Sequence, residues 1–149
     1  MPRSIISKGI LKNGAEILRA TFNRGIVVKK QPTPIAETAA ATLTAADLLS
    51  GIITITHATG ATVVLTTDTG ALIQAGLPMN FAVNDSFEFT IINLSAALLD
   101  TATLTAGASG VSVVGQAIVS SAHADAEFPS SSTFRARKTA ANVFVIYKI

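Results

Sequence analysis

Residues 86–93 read SFEFTIIN, and the parity of this stretch constrains the fold more than any other feature. Phe87, Phe89 and Ile91 fall on one face of an extended strand and Glu88, Thr90 and Ile92 on the other, because successive strand side chains point to opposite sides. The Asn84-Asp85 dipeptide supplies a turn just before it. Similar short runs recur along the chain: IITIT at 52–56, ATVVLTT at 61–67, LLDTATLTAG at 98–107 and SGVSVVGQAIVSSA at 109–122, cut by Gly107, Gly110 and Gly115. FRARK, a turn over TAAN and VFVIYKI close the chain as a hairpin, with Phe134, Ala136 and Lys138 facing one way and Arg135 and Arg137 the other. About eight short strands at spacings of roughly eight to twelve residues predict an all-β body, a compact antiparallel β-sandwich or barrel of jelly-roll-like kind.

Two short helices interrupt the strands. Thr44 followed by Asp47 has the form of an N-cap with an acid at the third helical position, and Gly51 ends the resulting single turn. The same device is expected at Thr67 or Asp68 before ALIQA, stopped by Gly76 and Pro78. A turn over Ala58-Thr59-Gly60 is expected to join IITITH to ATVVLTT as strand-turn-strand. No internal repeat points to a solenoid or propeller.

Charge is segregated along the chain. Residues 1–30 hold Arg3, Lys8, Lys12, Arg19, Arg24, Lys29 and Lys30 against Glu16 alone, seven cations and one acid, for a net +6. Residues 31–133 contain no Lys or Arg but eight acids, and the tail returns four cations, Arg135, Arg137, Lys138 and Lys148. The net charge of +2 conceals three blocks of alternating sign. A basic segment preceding an acidic body is the pattern of an arm that docks on something acidic: a partner protein, a neighbouring copy or nucleic acid. Nucleic acid is disfavoured, because the arm's cations are widely spaced and Phe22 is its one stacking ring.

The arm and linker occupy residues 1–35 and the body residues 36–149. Within the arm, Asn13-Gly14 between ILK and AEIL is a tight-turn signal, so a small hairpin or an extended strand is expected there rather than a helix. Pro32 and Pro34 favour extended backbone and mark the linker. The N-terminus has no continuous apolar run of the signal-peptide kind, and the mature chain is expected to begin there. The charge-free window 101–124 is Thr, Ser, Gly and Ala rather than Leu, Ile and Phe, so it reads as strands and no membrane span is expected.

With 149 residues the chain suits one domain, and its 13% charged residues fall well below the roughly 25% of an average globular protein. Much of the surface is therefore Thr, Ser and Gly or is covered by partners. Absence of cysteine removes disulfides, thiolate chemistry and Cys-ligated zinc.

Chemistry-bearing patterns are sparse. His123, Asp125 and Glu127 in HADAE would share one face of an extended strand, a partial metal set with no recognisable fourth ligand, and a polar loop before Phe128-Pro129 is the preferred reading. His57 closes the IITIT strand beside a turn, and no Gly-x-Ser-x-Gly elbow or phosphate-cradling Gly-rich loop occurs. No catalytic residue, cofactor, metal or small-molecule substrate is expected.

Three stretches, TLTAADLLSGIITIT at 42–56, VNDSFEFTIIN at 83–93 and FRARKTAANVFVIYKI at 134–149, together resemble the capsid decoration, or cement, proteins of tailed bacteriophages, including phages of cyanobacteria and other aquatic bacteria. The resemblance covers about residues 36–149 and leaves the arm unmatched. It implies a structural virion protein on the outer capsid surface, a homotrimer bridging neighbouring major capsid subunits. Within that expectation the arm docks through Arg3, Lys8, Lys12, Arg19, Arg24, Lys29 and Lys30, with Ile5, Ile6, Ile10, Leu11, Ile26 and Val27 as strand-forming anchors. Arg135 and Arg137 are candidates for oligomer contacts, or else neutralise acids of the body itself. A tail fibre or baseplate component is the alternative reading, and a nucleic-acid-binding protein the second.

Overall fold

The computed structural model describes residues 21–23, 26–28, 31–126 and 129–149, the first two segments by their backbone alone. The chain divides into two compact units, residues 1–31 and 32–149. In the first, β1 (Thr21–Asn23) and β2 (Ile26–Val28) form an antiparallel two-stranded sheet pairing Phe22 with Val27. The expected turn at Asn13-Gly14 lies outside the described residues.

The second unit is built from strands, with two short helices. Its elements are β3 (Ile35–Glu37), β4 (Ala41–Leu43), α1 (Ala45–Leu49), β5 (Ile52–Ile55), β6 (Val63–Thr67), α2 (Gly70–Gly76), β7 (Ser86–Asn93), β8 (Ala102–Thr105), β9 (Val111–Val114), β10 (Ile118–Val119), β11 (Ser131–Ala140) and β12 (Val143–Lys148). They form a six-stranded sheet in the order β3-β5-β7-β11-β12-β9 and a four-stranded sheet in the order β10-β8-β6-β4.

The strand content matches the sequence reading, but the pairing does not. From β3 to β8 the chain alternates between the sheets, so that β3, β5 and β7 lie side by side in one and β4, β6 and β8 in the other. Strands that return to the same sheet after a full circuit run parallel. Among the described residues, five of the unit's eight ladders are parallel and three antiparallel, in place of the all-antiparallel pattern expected. The turn at Ala58–Gly60, with Gly60 at φ 67°, does not make a hairpin: β5 and β6 belong to different sheets. Turn residues encode a change of direction, but they do not encode which sheet receives the next strand.

Both helices occupy crossings between sheets. At α1 the expected cap is complete: Thr44 Oγ1 accepts the Asp47 N–H at 3.3 Å and Asp47 Oδ2 accepts the Thr44 N–H at 2.8 Å, a reciprocal capping box. Gly51 follows at φ 83°, where only glycine is unstrained. The cap of α2 is Thr69 rather than Thr67 or Asp68, its hydroxyl accepting the Leu72 N–H at 3.4 Å. Thr67 is instead committed to β6, where it is buried and its hydroxyl accepts the Gly107 N–H at 2.9 Å. Gly70 opens α2 because the backbone there runs against the carbonyls of Asn142 and Gly110, leaving no room for a Cβ.

One apolar cluster is shared by both sheets. Leu43, Leu65, Leu104 and Val119 enter it from the four-stranded sheet, and Ile53, Ile55, Phe89, Ile91, Phe134, Phe144 and Ile146 from the six-stranded one. Leu48 and Ile73 add the inward faces of the helices. Phe89 and Phe134 stack across the β7–β11 pair, ring centroids 5.5 Å apart. Burying each such side chain contributes about 1.5–3 kcal/mol, so strand parity translates directly into stability.

Candidate interaction surface

The closing hairpin places the tail's cations in two groups. On β11, Phe134, Ala136 and Lys138 are buried and Arg135 and Arg137 are exposed, as the alternation predicts. Lys138 and Lys148 spend their charge inside the molecule: the Lys138 ammonium donates to the Phe81 carbonyl at 2.8 Å, and that of Lys148 to the Ile118 carbonyl at 2.8 Å. The second of these joins β12 of the six-stranded sheet to β10 of the four-stranded one.

Arg135 and Arg137 lie on the outer face of the six-stranded sheet. Arg135 is directly opposite Glu88 on β7, and its guanidinium donates through Nε at 2.9 Å and Nη2 at 2.5 Å to Glu88 Oε1. Arg137 donates to Asn84 Oδ1, at the positive-φ turn that precedes β7. Both arginines thus meet polar groups of their own chain. Beside them the face becomes apolar, since Tyr147 pairs with Arg135 and Val114 follows on β9, with Val114, Val143 and Ile149 exposed. A half-exposed ion pair thus borders a strip of exposed apolar side chains on this face.

The remaining arm residues proposed for docking, Arg3, Ile5, Ile6, Lys8, Ile10, Leu11, Lys12, Arg19, Arg24, Lys29 and Lys30, lie outside the described residues. Ile26 and Val27 belong to β2.

The two histidines sit in different surroundings, His123 half-exposed and His57 buried. Residues 123–126 form a turn rather than a strand: the Asp125 N–H donates to His123 Nδ1 at 3.1 Å, and the Asp125 carboxylate, 3.8 Å from the ring, is solvent-exposed. Glu127 lies outside the described residues, and no cluster of three metal-ligating side chains is found among those described.

His57 follows β5 beside a turn, as expected, but its burial against Asp100 is what sequence reasoning missed. It continues the inward parity of Ile53 and Ile55 two residues beyond β5, and its side chain is buried with that of Asp100, each 1% exposed. Nδ1 lies 3.1 Å from Thr59 Oγ1 and 3.7 Å from Asp100 Oδ1, while Nε2 has no partner among the described residues. Asp100 Oδ1 accepts the Gly60 N–H at 2.7 Å. Asn93, also buried, donates to the Asp100 carbonyl at 2.7 Å and accepts the Ser95 N–H at 3.0 Å, and Ser95 Oγ accepts the His57 N–H at 3.0 Å. In a nucleophilic triad Nε2 would face a serine hydroxyl. Here the neighbouring serine takes the backbone of His57 instead, and the network fastens the loops at one end of the sheets. The parity of His57 with Ile53 and Ile55 was the signal available in the sequence.

On the outer face of the four-stranded sheet, Thr42, Thr66 and Thr105 form a row across β4, β6 and β8, and the Thr66 and Thr105 hydroxyls are 3.0 Å apart. An open groove of about 230 Å³, lined by Ala40, Ala41, Thr42, Val64 and Thr66, runs beside β4, the strand at the end of this sheet.

Comparison with protein-family models, with curated proteins and with solved structures found no match to this chain.

Proposed function

We propose that this chain is a structural virion protein, a cement protein that binds the outer surface of a phage capsid as a homotrimer and bridges neighbouring major capsid subunits. The observation that carries this reading is the resemblance of residues 42–56, 83–93 and 134–149, in order and spacing, to phage decoration proteins. Segregated charge supports it, because a basic arm of net +6 ahead of a body without Lys or Arg from 31 to 133 suits attachment at several weak points, where avidity replaces strong single contacts. The exposed strip around Tyr147 and Val114 supports it further as a surface for side-to-side packing. In this reading the two sheets face one another across the shared core as a sandwich, with the mixed pairing described above in place of jelly-roll connectivity.

The test is co-sedimentation with capsids that lack the protein. Full-length protein is expected to pellet with the shells and raise their resistance to heat, while a variant lacking residues 1–34 stays folded and remains in the supernatant. Full-strength binding by the truncated body would overturn the docking role of the arm, and no binding by the intact chain would overturn the cement reading. Electron microscopy of virions separates a capsid position from one on the tail fibre or baseplate.

A further inference from the structure

The body's two sheets end in four edge strands, β3, β9, β4 and β10, and these edges are not guarded alike. Lysine, proline and charge are the usual guards against strand addition. β3 follows Pro34 and carries Glu37, and at β10 the Lys148 ammonium already takes the Ile118 carbonyl at 2.8 Å. β9, Val111-Ser112-Val113-Val114, has none of these. In its parallel ladder with β12, alternate residues direct their backbone groups to opposite sides. The Gly110 carbonyl accepts the Phe144 N–H at 2.8 Å, so Gly110 and Ser112 serve β12, while Val111 and Val113 direct N–H and carbonyl to the open side, where they meet no partner among the described residues. β4 presents one such residue, Thr42, because the Leu43 carbonyl accepts the Asp68 N–H on the β6 side. β9 therefore offers the longer unguarded edge.

The sequence at this edge is nearly its own mirror image about Ser112: Val111 mirrors Val113, and Gly110 mirrors Val114. A twofold contact between identical antiparallel strands sets each residue against its mirror position, so a segment of this kind fits a copy of itself. Centred on Ser112, such a pair lets Val111 of one copy and Val113 of the other exchange both main-chain bonds. A centre at Val111 would call on Ser109, whose carbonyl already accepts the Gly70 N–H at 2.8 Å, and a centre at Val113 would call on Gly115, which leaves the extended conformation at φ 87°. On the inner face the partly buried Val111 and Val113 meet as β-branched pairs beside the core. On the outer face the exposed Val114 of one copy lies over Gly110 of the other, which has no side chain to obstruct it. Charge agrees with this pairing. A twofold contact brings like residues together, and the surrounding segment 101–124 contains no charged residue, whereas at β3 it would bring Glu37 towards its own copy.

We infer that β9 of one copy pairs antiparallel with β9 of a second copy about a twofold axis at Ser112, joining the two six-stranded sheets edge to edge. Main-chain hydrogen bonds of Val111 and Val113 supply the register, and the absence of charge from 101–124 lets the two edges approach. The contact requires no capsid, so it stands or falls separately from the capsid reading.

Ser112 is exposed and lies opposite itself in this pair, which makes it the position to test. Light scattering is expected to show an even multiple of the 15.3 kDa chain for the native protein, and half that mass for Ser112→Lys and for Ser112→Glu, whose like charges face one another across the axis. Mixing the two variants is expected to restore the native mass, because lysine then faces glutamate. Native far-ultraviolet circular dichroism of each variant confirms that the body remains folded. Hydrogen exchange supplies a second readout: the Val111 and Val113 amides are expected to be protected in the native protein and to lose that protection in Ser112→Lys. The native exchange measurement needs no substitution, so the test does not depend on either variant folding. The inference is overturned if the native protein is a single chain or an odd multiple of it, if both folded variants keep the native mass, if their mixture stays at half mass, or if the two valine amides exchange freely in the native protein.

Discussion

Asp100 accepts the Gly60 N–H while its own carbonyl takes the Asn93 amide, so truncating it removes the acceptor of the Gly60 N–H and the one carboxylate facing His57 among the described residues. Asp100→Ala is expected to cost about 1–3 kcal/mol, read from the urea midpoint, because a fully buried side chain and its hydrogen bond to the Gly60 N–H are lost together. Arg135→Ala, at a half-exposed pair, is expected to cost no more than about 1 kcal/mol. A larger loss at Arg135 than at Asp100 would contradict this ordering. The two sites also differ in how legible they were. Arg135 and Glu88 both sit at the outward parity of strongly alternating strands, so their outward placement could be read from spacing alone. His57 and Asp100 are 43 positions apart, and nothing local records that the loop before β8 closes over the end of β5.

At the level of elements, local chemistry was the readable part. The Thr44/Asp47 pair and Gly51 define α1 from two side chains and one backbone constraint, and each of these acts within a few residues. The α2 cap moved from Thr67 or Asp68 to Thr69 because β6 extends far enough to bury Thr67 against the loop at Gly107, a contact between residues 40 apart. Strand partnership is non-local in the same sense, and hence the parallel winding was not legible from turns such as Ala58–Gly60. Two tests belong at this scale. Gly70→Ala, which drives a Cβ into the carbonyls of Asn142 and Gly110, is expected to lower thermal stability by several degrees by forcing α2 away from the closing turn. Phe144→Ala, at a fully buried position of β12, is expected to cost about 3–5 kcal/mol, measured by denaturant unfolding. A Gly70→Ala protein with native stability would mean that α2 and the β11–β12 turn are not held as closely as described.

Across the whole molecule, the pairing pattern joins segments that are distant in sequence: β6 with β8, β7 with β11, and Lys148 with Ile118. Folding dominated by such contacts is slow, because loop closure must precede the contacts that reward it, and refolding is expected on the millisecond-to-second scale in stopped-flow measurements. Microsecond refolding would point to a nucleus made of local contacts, which this topology does not provide. The position of β11 has a further consequence. It stands between β7 and β12 in the six-stranded sheet, yet it is nearly the last segment of the chain. During synthesis the strands from β3 to β8 emerge with one flank of β7 unfilled, and the sheet is completed only when β11 and β12 have followed them. Quality control is thereby built into strand order: until β11 is made, β7 displays an open, apolar strand edge to chaperones and proteases.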